Sequence, residues 1–116
     1  MAVRTVHYPD STWEQSGPLL RKIVVEGEHA TTTRYSFEPG GRFPRHRHPQ
    51  EQMTYVISGD FSFVIDGKEH RLEPDSVVVL SPNLIHSGKA GASGAEIVAV
   101  VAPPRRSDDV ERLEED

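Results

Sequence analysis

The sequence contains no cysteine, and this absence excludes several kinds of protein at once. Without thiols the chain cannot hold disulfide bonds, a cysteine nucleophile, or the cysteine ligands of zinc and iron–sulfur sites. Long apolar runs are also missing, because the first residues lack the apolar segment of a secretion signal and no stretch approaches the ~18 apolar residues of a membrane helix. We therefore expect a soluble, cytoplasmic protein in which the six histidines are the softer metal ligands available.

The excess of negative charge is confined to the end of the chain. The net charge of −5 arises from 13 basic and 18 acidic residues among 116, and the last ten residues hold six of the acids and one base, Arg112. Because the remainder is electrically balanced, with 12 bases and 12 acids, neither a nucleic-acid nor a membrane partner is expected. We interpret residues 1–106 as a single domain with its core at about 19–101. Residues 107–116 form an acidic tail, of a kind that is usually solvated, with room for a helical turn or two over Asp108–Glu115.

Long helices are not expected, because nine prolines and nine glycines interrupt the chain. Between these breaks lie segments rich in β-branched and aromatic residues: Leu19–Val25, Thr31–Phe37, Met53–Ile57, Phe61–Ile65, Val77–Leu80 and Ile97–Val101. Short strands separated by turns predict an all-β sandwich or barrel. The most specific local prediction is a hairpin that joins Phe61–Ile65 to Lys68–Leu72, because Asp66-Gly67 suits a two-residue turn with positive φ at both positions.

The clearest chemical signal is the pair His46 and His48. Residues two apart in a strand face the same side, so both imidazoles are expected to project together. Gln52 joins that face if the alternation survives the intervening proline turn, and His86 is a further candidate. Three histidines and one oxygen ligand would bind a divalent ion such as Mn, Fe, Ni, Co or Zn and leave positions open for catalysis. The remaining histidines, His7, His29 and His70, are interpreted as surface residues.

In this segment the sequence resembles the small single-domain cupins. The first cupin signature is Gly-(x)5-His-x-His-(x)3-Glu-(x)6-Gly, and every spacing is kept at Gly40, His46, His48, Gln52 and Gly59. Gln52 replaces the usual glutamate ligand, and some cupin groups use a His-His-Gln-His set. The resemblance, which covers about residues 19–101, implies a double-stranded β-helix, or jelly-roll barrel, with a metal inside its mouth.

The second cupin signature, Gly-(x)5-Pro-x-Gly-(x)2-His-(x)3-Asn, matches only at His86. The residues at its other positions are Asp75, Ser81, Asn83 and Ala90. Asn83 tolerates the left-handed backbone conformation that a glycine would adopt, so the turn before His86 is still expected to form.

Parts of the chain are also similar to the cupins of pectin and alginate breakdown, which convert 4,5-unsaturated uronates to open-chain keto sugars. Those proteins pair the metal with an Asp, a Phe and an Arg near the last strand, where this chain has Ala99, Val101 and Arg105. An alanine cannot transfer a proton, so Ala99 argues against that particular activity. Arg105 can bind a carboxylate or an enolate oxygen, or it can be a solvated neighbour of Arg106.

Two further catalytic candidates, Arg34 and Tyr35, lie on the strand before the histidine motif. Alternation lets only one of them face inward. Because Tyr35 shares its parity with Phe37 on an expected core face, Arg34 is preferred as the residue in the barrel mouth.

Three classes of function remain open. The first is a metal-dependent enzyme that enolises, isomerises or cyclises a small oxygen-rich substrate by polarising a carbonyl. The others are a dioxygenase that activates O2 at Fe, Ni or Cu, and a non-catalytic cupin that binds a small ligand. Because neutral Gln52 cancels none of the metal charge, the substrate is expected to be anionic or easily enolised.

A homodimer is the expected assembly. Small cupins usually pair through N-terminal strands, and the apolar strand Leu19–Val25 is expected to leave an exposed edge that a barrel of this size does not cover.

Overall fold

The computed structural model describes residues 2–106 and 108–113, and this part of the chain is almost entirely β. One turn of 3-10 helix, Tyr8–Asp10, precedes the strands. The strands are β1 (Glu14–Gly17), β2 (Leu20–Glu26), β3 (Thr31–Phe37), β4 (Arg42–Arg47), β5 (Glu51–Ile65), β6 (Lys68–Leu72), β7 (Val77–Leu80), β8 (His86–Ala102) and β9 (Glu111–Arg112). Among the described residues, no helix has the length and apolar character needed to span a membrane.

Two long strands, β5 and β8, organise the fold because each contributes to two halves of one curled sheet. The C-terminal half of β8 lies between β3 and the first half of β5, and β1, β2 and β7 extend this part outward. The N-terminal half of β8 lies between β4 and the second half of β5, with β9 and β6 at the outside. All pairings are antiparallel, and the result is the expected all-β double-stranded β-helix, a jelly-roll barrel.

The prediction of separate strands at Met53–Ile57 and Phe61–Ile65 is wrong, because they form the single strand β5. Its register with β8 shifts on either side of Gly59, whose φ of 93° is one that side-chain-bearing residues rarely adopt. A Cβ atom at Gly59 would lie 2.2 Å from the Gly94 carbonyl oxygen. The two backbones therefore meet where both long strands bend, and a glycine is required there.

The predicted hairpin is confirmed. Ile65 pairs with Lys68 across the turn, and Asp66 and Gly67 have φ values of 52° and 73°. Positive φ at both central positions is the geometry that a two-residue Asp-Gly turn favours.

The core fills the space between the two halves of the sheet. It is built from aliphatic and aromatic side chains of β2, β3, β5, β7 and β8: Leu20, Phe37, Val56, Phe61, Phe63, Leu80, Ala90, Ala95 and Ile97. Phe43 of β4 packs against this cluster, and its ring lies edge-on to His46 and His86 at centroid distances of 5.4 and 6.3 Å. An aromatic wall thus closes one side of the histidine cluster.

The edge expected at Leu19–Val25 is covered only in part. β2 pairs with β3 along its whole length, but β1 pairs with Leu20, Arg21 and Lys22 alone, so residues 23–26 have no strand partner on that side among the described residues. Leu20 and Ile23 are buried within the chain, whereas Leu19 and Val24 are each 40% exposed. The part of the outer edge that β1 forms is short and carries exposed polar residues, so it is poorly suited to pairing with another chain.

The acidic tail also differs from the expectation. Residues 108–113 form a turn and the two-residue strand β9, which pairs with β4, and they contain no helical turn. The rest of the range considered for a helix, residues 107 and 114–116, lies outside the described residues.

We predict that Gly59→Ala destabilises the chain by about 3 kcal/mol, because it combines an unfavourable backbone conformation with overlap against Gly94. Gly67→Ala is the matched control, since its φ is also positive but nothing lies within 4 Å of the added Cβ. The control is expected to lose about 1 kcal/mol. Urea unfolding followed by circular dichroism measures both values, and equal losses would contradict the role assigned to Gly59.

Candidate metal centre

Three strands bring the predicted ligand residues together. His46 of β4 lies directly opposite His86, the first residue of β8, and their ring centroids are 4.3 Å apart. His48 follows the end of β4, with its ring centroid 5.5 Å from His46 and 5.3 Å from His86. One nitrogen from each ring lies within 4.8 Å of the others, and all three side chains are buried. Such a cluster can hold a metal ion.

Backbone carbonyls determine which nitrogen of two rings carries the proton. The Nδ1–H groups of His46 and His86 donate to the carbonyl oxygens of Pro44 and Leu84, each at 2.8 Å. A carbonyl oxygen can only accept, so Nε2 of each neutral ring keeps its lone pair. The Nε2 atom of His86 is buried and has no hydrogen-bond partner. An unshared lone pair in a buried position is what a metal ligand supplies.

Gln52 joins the cluster through its side-chain oxygen. Nε2 of His48 lies 3.0 Å from Oε1 of Gln52, and Nε2 of Gln52 donates to Oγ1 of Thr54 at 3.0 Å. Thr54, which is fully buried, therefore orients the amide so that its oxygen faces the imidazoles. His48 can bind a metal through Nε2 in the tautomer that carries the proton on Nδ1. Two ligand atoms about 2.1 Å from one ion and at right angles to each other are also about 3 Å apart. The His48 and Gln52 atoms thus have a spacing that fits a shared divalent ion.

The turn before His86 supports the same cluster. Asn83 has φ 64° and its backbone N–H donates to the carbonyl oxygen of His48 at 2.8 Å. The expected left-handed conformation of Asn83 is confirmed, and Asp75 adopts a similar φ of 69°. The turn thus joins the segment that carries His48 to the start of β8.

The environment keeps the imidazoles neutral. Burial lowers the pKa of His46 to about 3, helped by the proximity of His86, and burial lowers the pKa of His86 to about 4. The pKa of His48 is also lowered, first by burial and then by the positive charge of Arg105. Neutral imidazoles need no deprotonation before they bind a cation.

A cavity of about 750 Å³ opens beside the cluster. His46, Gln52 and Tyr35 contribute to its wall, together with Ala99 and Val101 of β8. The last two are the residues that replace the Asp and Phe of the uronate cupins, and neither supplies a carboxylate. The cavity volume is typical of a small-molecule site.

The structure reverses the preferred orientation of Arg34 and Tyr35. Arg34 lies on the other face of β3, where its guanidinium pairs with Glu96 at 3.0 Å and stacks over Tyr8. Tyr35 faces the cavity, and its ring packs against Phe43. Alternation along the strand explains the result, because Tyr35 shares its face with the buried Thr33 and Phe37.

Arg105 lies in the cavity wall, three residues after the end of β8. Its backbone N–H donates to Oγ1 of Thr31 at 3.1 Å, and its Nε is buried without a hydrogen-bond partner. The guanidinium is close enough to lower the pKa values of the three clustered histidines. The other histidines, His7, His29 and His70, are exposed.

Sequence reasoning missed Gln50, Thr54 and Arg112. Gln50 and Thr54 have even residue numbers, as the ligand residues His46, His48 and Gln52 do. This alternation is the sequence signal that could have identified them. Arg112 lines the cavity from the tail, and its signal was that it is the one base among the last ten residues.

The fold and the histidine cluster define a small barrel of the cupin class. A family model described as "Cupin domain" matches residues 33–101, more than half of the chain, and the chain belongs to this family.

Known relatives agree with this class. The pectin degradation protein KdgF of Dickeya dadantii (strain 3937) is 24% identical over 98 residues, which cover 83% of this chain and 89% of the relative. The structure of KdgF from Halomonas sp. superposes with a TM-score of 0.80 at 21% identity, covering 93% of this chain and 98% of the other. The polyketide cyclase RemF from Streptomyces resistomycificus also gives 0.80 at 21% identity, covering 99% and 88%. At these identities the structural matches establish the fold alone.

We predict that the metal-free protein loses stability as the pH falls from about 7 to 4. Unfolded imidazoles titrate near 6.5, whereas His46 and His86 in the folded chain take up protons only near pH 3 and 4. The unfolded state therefore binds more protons in this window, at up to about 1.4 kcal/mol per pH unit for each imidazole. The free energy of unfolding, measured with urea at several pH values, should fall less steeply in a His46→Gln, His86→Gln double variant. Parallel curves for the two proteins would contradict the prediction.

Proposed function

We propose that this chain is a metal-dependent cupin enzyme that acts on a small, oxygen-rich, anionic substrate by a redox-neutral enolisation, isomerisation or cyclisation. The observation that carries the proposal is the opening of His46, Gln52 and the guanidinium of Arg105 onto one cavity. The KdgF relative acts in pectin degradation and RemF is a polyketide cyclase. These two names support substrates rich in carbonyl and hydroxyl groups, with sugar acids as the first class to test.

The proposed metal ligands are His46, His48, Gln52 and His86. The donor set fits a first-row divalent ion, because it combines neutral imidazoles with an amide oxygen and has an unpartnered buried nitrogen on His86. A divalent ion held by these residues would act as a Lewis acid toward a carbonyl or enolate oxygen. The imidazoles and Gln52 add no negative charge, so the whole charge of the ion would act on the substrate.

Arg105 and Tyr35 are proposed to act on the substrate directly. Removal of a proton from the carbon beside a carbonyl leaves the electron pair on the enolate oxygen, and a guanidinium stabilises that charge through paired N–H donors. Burial of Arg105 Nε reduces competition from water. Tyr35 lines the same cavity, and its hydroxyl is the candidate relay that passes the substrate proton on to solvent water. Arg34 has no place in this scheme, because its guanidinium pairs with Glu96 on the opposite face.

We predict that protein purified without a histidine tag binds one divalent ion per chain and that His48→Ala weakens this binding at least tenfold. His70→Ala is the matched control, because His70 is an exposed histidine on β6. Metal content after dialysis, measured by mass spectrometry of the metals, compares the three proteins. Equal occupancy in wild type and His48→Ala would remove the metal assignment.

We predict that the metal-loaded protein catalyses exchange of the hydrogen beside the carbonyl group of a uronate or 2-keto acid with solvent deuterium. Arg105→Gln is expected to slow this exchange about a hundredfold, since it removes the charge that faces the enolate. Proton NMR in D2O follows the exchange before any product is known, and Arg71→Gln, an exposed charge on β6, is the control.

The same samples distinguish the other two functions. Oxygen uptake without hydrogen exchange would support a dioxygenase using Fe, Ni or Cu. Tight binding that is insensitive to a chelator and gives no turnover would support a non-catalytic binding cupin. Either result would contradict the proposed reaction class.

We also propose that the chain is a homodimer and that its interface includes the outer face of β5 and β7. Four apolar side chains are exposed there as two cross-strand pairs, Met53 with Val79 and Tyr55 with Val77. Burial of such a patch stabilises an interface.

We predict that a Val77→Lys, Val79→Lys double variant has a lower mass than the wild type in light scattering at micromolar concentration. Val3→Lys is the control, because Val3 is an exposed apolar residue outside the patch. A wild type with the mass of a monomer would contradict the proposed dimer.

A further inference from the structure

The C-terminal segment of residues 108–113 returns to the cavity and is held there by several contacts. β9 pairs with β4, and the backbone N–H of Leu113 donates to the Arg45 carbonyl oxygen at 2.9 Å. On the outer side, the Arg47 guanidinium lies 2.8 Å from the Glu111 carboxylate. The segment expected to be solvated is therefore attached to the strand that carries His46.

A buried amide fixes the position of the chain before β9. Gln50 is 1% exposed, and its Nε2 donates to Oδ2 of Asp109 at 2.5 Å and to the Pro104 carbonyl oxygen at 3.3 Å. The same carboxylate oxygen accepts from the backbone N–H of Arg106 at 2.8 Å. Asp109 thus joins the segment to the barrel at a second point, apart from the pairing with β4.

The register of β9 determines which side chain enters the cavity. Glu111 lies opposite Arg47, and Arg112 lies opposite His46. Residues directly opposite each other in an antiparallel pair project to the same side, about 5 Å apart at Cβ. Arg112 therefore projects to the side of His46 and lines the cavity, whereas the acidic Glu111 projects outward. A shift of one residue would exchange the two side chains.

The charged side chains around the cavity are mostly basic. Among the described residues its wall includes five basic side chains and one acid: Lys22, Arg42, Arg105, Arg106, Arg112 and Glu26. The basic character occurs in a chain with a net charge of −5. Arg105 follows β8 and Arg112 belongs to β9, so two separate elements each bring a guanidinium to the same space.

We propose that Arg112 is a substrate-binding residue and that, together with Arg105, it makes the cavity selective for small acids with two carboxylates. The inference rests on the proposed function, which places Arg105 at the reacting end of an anionic substrate, and it adds that this guanidinium contacts the carboxylate at that end when the substrate binds. Each guanidinium can bind a carboxylate through paired donors, and the volume of about 750 Å³ accommodates a six-carbon acid.

The test compares D-glucarate with D-gluconate, which are open-chain six-carbon acids with two carboxylates and one carboxylate. Binding is measured by calorimetry at low salt on the full chain stripped of metal, so that direct chelation does not contribute. Wild type is expected to bind glucarate about tenfold more tightly than gluconate. Arg112→Gln should remove most of this preference with little effect on gluconate, and Arg112→Lys should restore part of it. A tenfold change is what one charge-assisted contact supplies at a partly exposed site.

Two variants make the outcome decisive. Arg71→Gln changes the net charge equally on the exposed strand β6, so an equal loss of preference in that variant would show a general charge effect and overturn the role of Arg112. Arg105→Gln is expected to weaken binding of both acids. Wild type that binds both acids equally, with no effect of Arg112→Gln, would overturn this inference and leave the proposed function intact. Binding of neither acid to wild type would count against both.

Discussion

The close approach of two backbones at Gly59 and Gly94 is the constraint on which the rest of the molecule depends. Because no side chain intervenes, β5 and β8 bend together and pass from one half of the sheet to the other. The bend lets β8 supply His86 at its start and Ala99 and Val101 near its end, so one strand contributes both to the histidine cluster and to the cavity wall. Packed interiors transmit such constraints because they deform little.

The electrostatics of the site follow from burial and from the direction in which charges project. Burial keeps the three imidazoles uncharged, and the positive charge near them comes from arginines at the cavity wall. Two acids among the described tail residues are engaged away from the cavity, since Asp109 is bound by Gln50 and Glu111 by Arg47. A chain with net negative charge thus presents a basic surface to whatever enters its cavity.

Much of the fold and of the candidate site could be predicted from the sequence, because the relevant signals are local. The spacing of His46, His48 and Gln52 reflects alternation along a strand, and Asn83 and Asp66-Gly67 are identified by their tolerance of positive φ. The expected orientation of Arg34 was wrong because the core face of β3 was assumed to differ from the face that lines the barrel mouth. In the structure the two are one face, since Thr33 and Tyr35 line the cavity and share their parity with the buried Phe37.

The parts that could not be predicted depend on contacts between distant segments. Strand β9 contains two charged residues, too few to show any periodicity, and it forms because β4 has a free edge that accepts it. The single strand β5 looks like two strands in the sequence because Gly59 interrupts the apolar pattern at the bend. In both cases a partner far away in the chain decides the local conformation.

The barrel holds the core and the histidines, whereas the tail supplies part of the cavity wall. This separation affects how the sequence of such a protein can diverge. Glu111 and Arg112 are exposed and outside the hydrophobic core, so substitutions there disturb packing little, whereas changes at Phe61, Phe63 or Ile97 would leave cavities or overlaps. The part of the wall supplied by β9 is thus free to change sequence while the barrel and its histidines stay constant. Descendants of one stable scaffold can acquire different ligand preferences through a few residues of a peripheral strand.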